Sequence, residues 1–224
     1  MSGYLSSDRT TSGGESPRAV GSRVWGVLGG IASGKSTAAR LLAGDLGVVL
    51  DADEIVDRLY GEPEFQSRVA EAFGPGVLGA EGRVDRQKLA GAVFADPTAR
   101  ALLESWIHPA VRAELVARYQ DARRRGVPRI VLDVPLLLEN DHSHGLAGLC
   151  DALIFVDTPD SLRDQRAVRS RGWKSGEVAR REALQMPLTE KRALAHHVLH
   201  NDGDPQHLAA LVRETLRRLE SASL

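Results

Sequence analysis

The sequence of 224 residues contains a single cysteine, Cys150. One cysteine cannot form an intramolecular disulfide, which excludes a disulfide-stapled secreted domain. Cys150 lies in the apolar run LAGLCDALIFV, so we expect a buried small side chain rather than a reactive thiol. This cysteine usage is typical of a reducing compartment, and we expect a cytoplasmic location.

Excess charge and long apolar runs are also absent. The formal net charge is −1 and the isoelectric point is near 6.7, which disfavours a protein that grips nucleic acid along its backbone. No run of about 18 apolar residues occurs, so we expect no membrane association. Residues 1–22 are rich in Ser, Thr and Gly with almost no apolar periodicity, and we expect a disordered tail without a secretion signal.

From Arg23 onward, apolar runs alternate with segments of helical spacing, which predicts one α/β domain over residues 23–222. The unbroken apolar runs are typical of a parallel sheet covered on both faces. They are RVWGVLG, VVLD, RIVLDVP, DALIFVDTP and HVLHND. We expect a doubly wound parallel sheet of the P-loop NTPase type, with a helical insertion at residues 60–128 in which Pro109 bends or divides a long helical run.

The stretch GGIASGKST matches the pattern G-x-x-x-x-G-K-[ST] between a predicted strand and helix. Glycines let the backbone N–H groups converge on an anion, and the helix N-terminus adds partial positive charge. Lys35 is expected to be exposed and to contact the β- and γ-phosphates of ATP, and the Ser36 hydroxyl to hold Mg²⁺. No Asn-Lys-x-Asp segment occurs, which argues against a GTPase switch.

Three aspartates follow predicted strands. Asp133 ends the third strand and either supports Mg²⁺ or caps the next turn. Asp51 precedes Glu54 by three residues, which is a helix N-terminal capping pattern. Asp53 is expected at the carboxyl end of a strand beside the phosphate-binding loop, where a carboxylate can accept the proton of an attacking hydroxyl.

An arginine-rich stretch, PDSLRDQRAVRSRGWKSGEVARR, follows the fourth predicted strand. Because the chain has 25 Arg and four Lys, arginine alone is weak evidence, and a solvated helical face is the alternative interpretation. The position in the chain, with Gly172 and Gly176 as hinges, predicts a lid over residues 161–185. The histidines at 142, 144, 196, 197 and 200 lack metal-site spacing, and we expect no metal there.

The chain resembles the dephospho-CoA kinase family along nearly all of residues 23–220. The segments that carry the resemblance are GGIASGKST, DADEIVDR, IHPAV, VPLLLEN, the arginine-rich lid, QMPLTEKRALA and HNDG. Only the first is common to nucleotide-binding proteins in general. The resemblance implies ATP-dependent phosphorylation of the ribose 3′-hydroxyl of dephospho-CoA, the last step of coenzyme A biosynthesis, by a monomer or weak oligomer.

The resemblance also implies roles for individual residues. Asp53 lies near the acceptor hydroxyl, the insertion receives the pantetheine-bearing substrate, and the lid closes over both ligands. The residues expected to bind ATP are Gly30, Ala32, Ser33, Gly34, Lys35, Ser36, Thr37, Arg171 and Asn201. Those expected to bind the acceptor, with Asp53, are His108, Pro135, Leu136 and Glu139.

Two positions depart from the family pattern. Ala32 stands where the family often has glycine, which is without cost if this residue keeps φ below zero. His196 stands where an acid commonly follows alanine, so a role for that position is in doubt. The alternatives to a dephospho-CoA kinase are another small-molecule or nucleotide kinase, a nucleotide-sensing switch module, and a pseudokinase, against which Lys35, Ser36 and Asp53 argue.

Overall fold

The computed structural model describes residues 21–94, 96–141 and 145–221. Most of the predicted tail at 1–22 and the histidines at 142 and 144 therefore lie outside the described residues. Within those ranges, no helix is both long and apolar enough to cross a membrane.

A parallel sheet of five strands in the order β2-β3-β1-β4-β5 forms the centre of the domain. The strands are β1 (Arg23–Gly29), β2 (Gly47–Asp51), β3 (Arg129–Asp133), β4 (Ala152–Asp157) and β5 (His197–His200). They coincide with the five predicted apolar runs. Helices lie on both faces, so the doubly wound α/β fold is confirmed.

The helices alternate with the strands as the spacing predicts. They are α1 (Lys35–Ala43), α2 (Ala52–Leu59), α3 (Pro63–Phe73), α4 (Arg86–Phe94), α5 (Pro97–Arg124), α6 (Asp160–Arg171), α7 (Glu177–Glu182), α8 (Leu188–Ala193) and α9 (Pro205–Ser221). Helices α3, α4 and α5 separate β2 from β3, which is where the insertion was predicted.

The side chains of each strand alternate between two apolar cores, one on each face of the sheet. On one face α1 and α9 pack against Trp25, Val27 and Ile154. On the other face α2 and the second half of α5 pack against residues such as Leu28 and Ile130. Both faces are therefore covered, which explains why the strands read as unbroken apolar runs.

The insertion has an apolar core of its own, formed by α3, α4, a short turn at Pro75–Val77 and the first half of α5. Helix α5 continues through Pro109, so of the two predicted alternatives, a bend or a division at this proline, the division is wrong. The division lies before Pro97, because Asp96 caps α5 by accepting hydrogen bonds from the N–H groups of Thr98 (2.8 Å) and Ala99 (3.2 Å).

His196 joins β4 to the segment that enters β5. Its Nδ1 accepts a hydrogen bond from the N–H of Leu153 (3.0 Å), and its own N–H donates to the carbonyl of Leu153 (2.8 Å). His196 therefore links the backbone of β4 to the start of the edge strand β5.

Cys150 lies just before β4 and is half-buried. Its Sγ approaches the carbonyl of Leu146 (3.6 Å), and burial raises the pKa of the thiol to about 12. The thiol is therefore protonated at neutral pH and unreactive, as expected from its apolar context.

The order in which the chain adds strands to the sheet reverses direction at β1, which lies between β3 and β4. Open α/β sheets bind ligands beyond the carboxyl ends of the strands at such a point. The loop after β1 and the residues that follow the four other strands therefore meet at one edge of the sheet.

Candidate active site

The loop of residues 29–37, called the phosphate loop below, joins β1 to α1. Gly29 and Gly34 have positive φ angles of 147° and 92°, which only glycine adopts without strain. The N–H of Ala38 donates to the carbonyl of Gly34 (2.9 Å) and closes the first turn of α1. The loop thus ends at a helix N-terminus, the geometry that binds phosphate.

Ala32 adopts the left-handed conformation, with φ 58°. Alanine would be unstrained at this position only with φ below zero, and the observed φ is positive. A non-glycine residue in this region carries strain of about 1–2 kcal/mol. The strain lies within the phosphate loop, where Ala32 lines the central cleft.

Ala32→Gly is expected to stabilise the protein by about 0.5–1 kcal/mol, because the relieved strain exceeds the added freedom of the unfolded chain. The melting temperature should rise by about 1–4 °C in thermal unfolding. Ala101→Gly, at an exposed position of helix α5, is the control and should lower it. A lower melting temperature for Ala32→Gly would contradict the expectation.

Lys35 is partly buried, so the prediction of an exposed side chain is wrong. Its Nζ donates to the carbonyls of Gly29 (3.2 Å) and Gly30 (2.7 Å) within the loop. Burial lowers its pKa to about 8; Asp133 partly opposes this shift, and the cations of Lys191 and Arg171 add to it. Glu182 also opposes the shift, so burial is its main cause, and an anionic ligand beside Lys35 would favour the ammonium form.

The lowered pKa of Lys35 predicts that ATP binding takes up a proton in mildly alkaline solution, because phosphate favours the ammonium form. Without nucleotide, stability should rise with pH from about 8 toward the ordinary lysine pKa, since the unfolded chain binds more protons there. Calorimetric titration with ATP at about pH 8.5, in buffers of different ionisation enthalpy, should show the uptake.

Lys35→Arg is the control for this titration, because arginine stays protonated and should give no uptake from this position. Wild-type binding that is independent of buffer ionisation enthalpy would contradict the prediction.

Two buried side chains hold the phosphate loop from behind. The Thr158 hydroxyl, after β4, and the Asn201 amide, after β5, both donate to the carbonyl of Ser33, at 2.9 and 2.7 Å. Asn201 lies so close to Gly34 that a Cβ there would be 2.5 Å from its Nδ2. Asn201 was expected to bind ATP, and its contact in the structure is with the loop backbone.

Ser36 and Asp133 both line the cleft beside the phosphate loop. Burial raises the pKa of Asp133, and the neighbouring Ser36 side chain partly opposes the rise. A hydroxyl and a carboxylate are oxygen ligands of the kind that Mg²⁺ prefers. The two predicted metal residues therefore form a donor set that fits the ion.

Asp51 caps helix α2, as its sequence pattern predicts. Its Oδ1 accepts hydrogen bonds from the N–H groups of Asp53 (2.9 Å) and Glu54 (3.1 Å). The cap fixes the first turn of α2 and with it the side chain of Asp53, which projects into the central cleft.

Asp53 has an environment suited to a proton acceptor. Partial desolvation raises its pKa, the neighbouring Asp51 adds to the rise, and the cations of Arg86 and Arg171 oppose it. Arg86 also donates to the backbone carbonyl of Asp53 (3.4 Å) and pairs with Asp57 (2.7 Å). A carboxylate with a raised pKa is a stronger base than an ordinary aspartate.

One cleft of about 990 Å³ connects the phosphate loop to the insertion and the lid. Gly30 and Asn201 do not line it, whereas the other predicted site residues do. Those that line it are Ala32, Ser33, Gly34, Lys35, Ser36, Thr37, Asp53, His108, Asp133, Pro135, Leu136, Glu139 and Arg171.

The segment after β3 forms a wall of this cleft. Leu136 has φ 57°, an outlier for a bulky residue. Glu139 pairs with the buried Lys191 (2.6 Å) and accepts a hydrogen bond from the N–H of Met186 (3.3 Å). Glu139 thus ties the cleft wall to the segment that precedes α8.

The segment of residues 161–185, predicted to be a lid, contributes an aromatic side chain that the sequence analysis did not single out. The ring of Trp173 contacts two guanidinium groups that also line the cleft, with Arg171 at 4.9 Å and Arg181 at 4.2 Å from the ring centroid. Lys191 was missed as well. Both belong to residue types that are scarce in this chain, which has three Trp and four Lys in all. This scarcity is the sequence signal that could have pointed to them.

Comparison with known proteins agrees with this geometry. The family model for dephospho-CoA kinase matches residues 23–207. A dephospho-CoA kinase from Symbiobacterium thermophilum is 41% identical over 197 residues, covering 87% of this chain and 80% of the relative.

Solved structures show the same fold. A crystal structure from Thermus thermophilus has a TM-score of 0.70 and 34% identity, covering 89% of this chain and 98% of its own. A shikimate kinase from Acinetobacter baumannii, at 17% identity and a TM-score of 0.52, covers 92% of this chain and 97% of its own and shares the fold alone. With the phosphate loop, Asp53 and Asp133 at one edge of such a sheet, this chain belongs to the dephospho-CoA kinase family.

Proposed function

We propose that this protein transfers the γ-phosphoryl group of ATP to the ribose 3′-hydroxyl of dephospho-CoA, giving coenzyme A and ADP. The observation that carries the proposal is the single cleft in which the phosphate loop, Asp53 and His108 of the insertion face common space. The volume of this cleft, about 990 Å³, lies at the upper end of the range of ligand-binding pockets.

Asp53 is the proposed general base. Its position after β2, its cap by Asp51 and its raised pKa all favour acceptance of the hydroxyl proton. Lys35 and Arg171 are proposed to supply positive charge beside the transferred group. Both line the cleft, and they lie close enough for their charges to act on each other.

Ser36 and Asp133 are the proposed ligands of Mg²⁺, Asp133 directly or through water. When bound, the ion neutralises phosphate charge and orients the nucleotide.

The Ser33 hydroxyl is buried in the loop without a hydrogen-bond partner among the described residues, which supports a ligand with acceptor oxygens at this place.

The insertion at residues 60–128 is proposed to receive the pantetheine part of the acceptor, through His108 and the wall formed by Pro135 and Leu136. The lid at residues 161–185 is proposed to exclude water from the transferred group. A cytoplasmic location and a monomeric or weakly oligomeric state stay predictions.

An ADP-release assay with a panel of acceptors tests the proposal. With Mg-ATP, dephospho-CoA should give coenzyme A and ADP in equal amounts. Adenosine, nucleoside monophosphates and shikimate should have kcat/KM values at least about 100-fold lower, since binding energy from the rest of the acceptor is used for catalysis. Equal turnover of one of these would favour another small-molecule kinase, and ADP release without an acceptor would favour a nucleotide switch.

A further inference from the structure

A buried ion pair joins the two ends of the lid. Arg163 in α6 is 2% exposed, and its guanidinium pairs with the carboxylate of Glu182 at the end of α7. Arg163 also donates to the carbonyl of Thr158 (3.1 Å) and to the exposed carboxylate of Asp160 (2.6 Å). The Arg163 donors are thus largely satisfied, as a buried guanidinium requires.

The same pair contacts the phosphate loop. Glu182 Oε1 accepts a hydrogen bond from the N–H of Ile31 (2.6 Å), and Arg163 Nη1 approaches the carbonyl of Ile31 (3.5 Å). A Cβ on Gly30 would lie 2.4 Å from Arg163 Nη1 and 2.6 Å from Glu182 Oε1. The absence of a side chain at Gly30 therefore lets the pair reach the loop backbone.

We propose that Arg163 and Glu182 are positioning residues that set the backbone of residues 30–32 for ATP. The inference rests on the proposed function, because it concerns nucleotide binding by the phosphate loop. Glu182 accepts from the N–H of Ile31 and Arg163 lies beside its carbonyl, so the pair holds the peptide groups on both sides of this residue. It thereby fixes the entry to Ala32, whose φ of 58° needs support from its surroundings.

The pair also limits how the lid can move. Arg163 and Glu182 are both held at the phosphate loop, so motion is confined to residues 164–181. This part contains Gly172 and Gly176, with φ 64° and 85°, and the cleft-lining Arg171. Lid opening is therefore a local rearrangement between two fixed ends.

Glu182→Ala is the first test, with ATP binding measured by calorimetry without acceptor and kinetics measured with dephospho-CoA. We expect Kd and KM for ATP to rise at least about tenfold, kcat to change less, and KM for dephospho-CoA to stay within about twofold. Glu182→Gln keeps an oxygen that accepts from Ile31 and should recover most of the ATP affinity.

Asp160→Ala is the matched control, because it removes the exposed partner of the same arginine and should change KM for ATP by less than about twofold. The double variant Arg163→Met with Glu182→Leu replaces a buried ion pair by an apolar pair, which often preserves stability. It should keep its melting temperature and still bind ATP weakly, which separates positioning from folding.

Unchanged or tighter ATP binding by Glu182→Ala would overturn the inference, as would a Glu182→Gln variant no better than Glu182→Ala. The calorimetric arm needs no acceptor. A protein that binds ATP as expected but does not phosphorylate dephospho-CoA would therefore contradict the proposed function and leave this inference intact.

Discussion

Lys35→Ala is expected to lower kcat at least about 100-fold while the protein stays folded. The ammonium is the cation of the phosphate loop, and removing one such stabilising group from a transition state typically has this effect. The partly desolvated ammonium, whose pKa is lowered to about 8, does not favour folding. The melting temperature should therefore stay within about 4 °C of the wild type.

Lys88→Ala is the control for this experiment, because Lys88 is exposed on the insertion and its Nζ donates to the carbonyl of Leu78 (2.9 Å), away from the phosphate loop. Its kcat should match the wild type in the same ADP-release assay. A Lys35→Ala enzyme that keeps a tenth of the wild-type kcat would exclude the assigned role of Lys35.

Asp53→Asn should reduce kcat by about 10²–10⁴ with little change in ATP affinity, since it preserves size and removes the proton acceptor. The pH profile gives a second readout. A protonated Asp53 cannot accept a proton, so wild-type kcat/KM should fall as pH falls through its raised pKa. This acid limb should be lost in the variant.

Glu54→Gln controls for charge in the same first turn of α2, because Glu54 is exposed and pairs with Arg118 (3.4 Å). It should keep wild-type kcat. A large loss of ATP binding in Asp53→Asn would instead show that Asp53 serves the metal ion, and an unchanged kcat would remove it from the site.

The strands and the order of elements could be predicted because both depend on local pattern. Each strand is an unbroken apolar run, and the phosphate loop has a spacing that few other structures require. For the long helical run the pattern predicts a bend or a division at Pro109, and the division lies before Pro97 instead. Pro97 with Asp96 before it is a helix start, whereas Pro109 is tolerated inside α5.

The conformation of Ala32 and the burial of Lys35 could not be predicted, for a different reason. The φ of Ala32 is set by closure of the whole loop, to which Thr158 and Asn201 contribute from other strands. The burial of Lys35 depends on side chains from β3, the lid and α8. Such long-range surroundings leave no periodic signal in the sequence.

Individual arginines could not be assigned for the same reason. Arg163 and Arg171 belong to one charged helix in a chain with 25 arginines. Only the structure shows that Arg163 turns inward toward Glu182, whereas Arg171 stacks on Trp173 at the cleft.

Helix α5 connects the two cores of the domain as a rod. Its 28 residues span about 42 Å, with Leu103 packed in the insertion and Leu115 packed under the sheet. At Pro109 the rod lacks one backbone hydrogen bond and is most easily bent. A bend of this helix is therefore expected at Pro109, next to His108 in the cleft lining, and would change the angle between the two cores without disturbing the packing inside either.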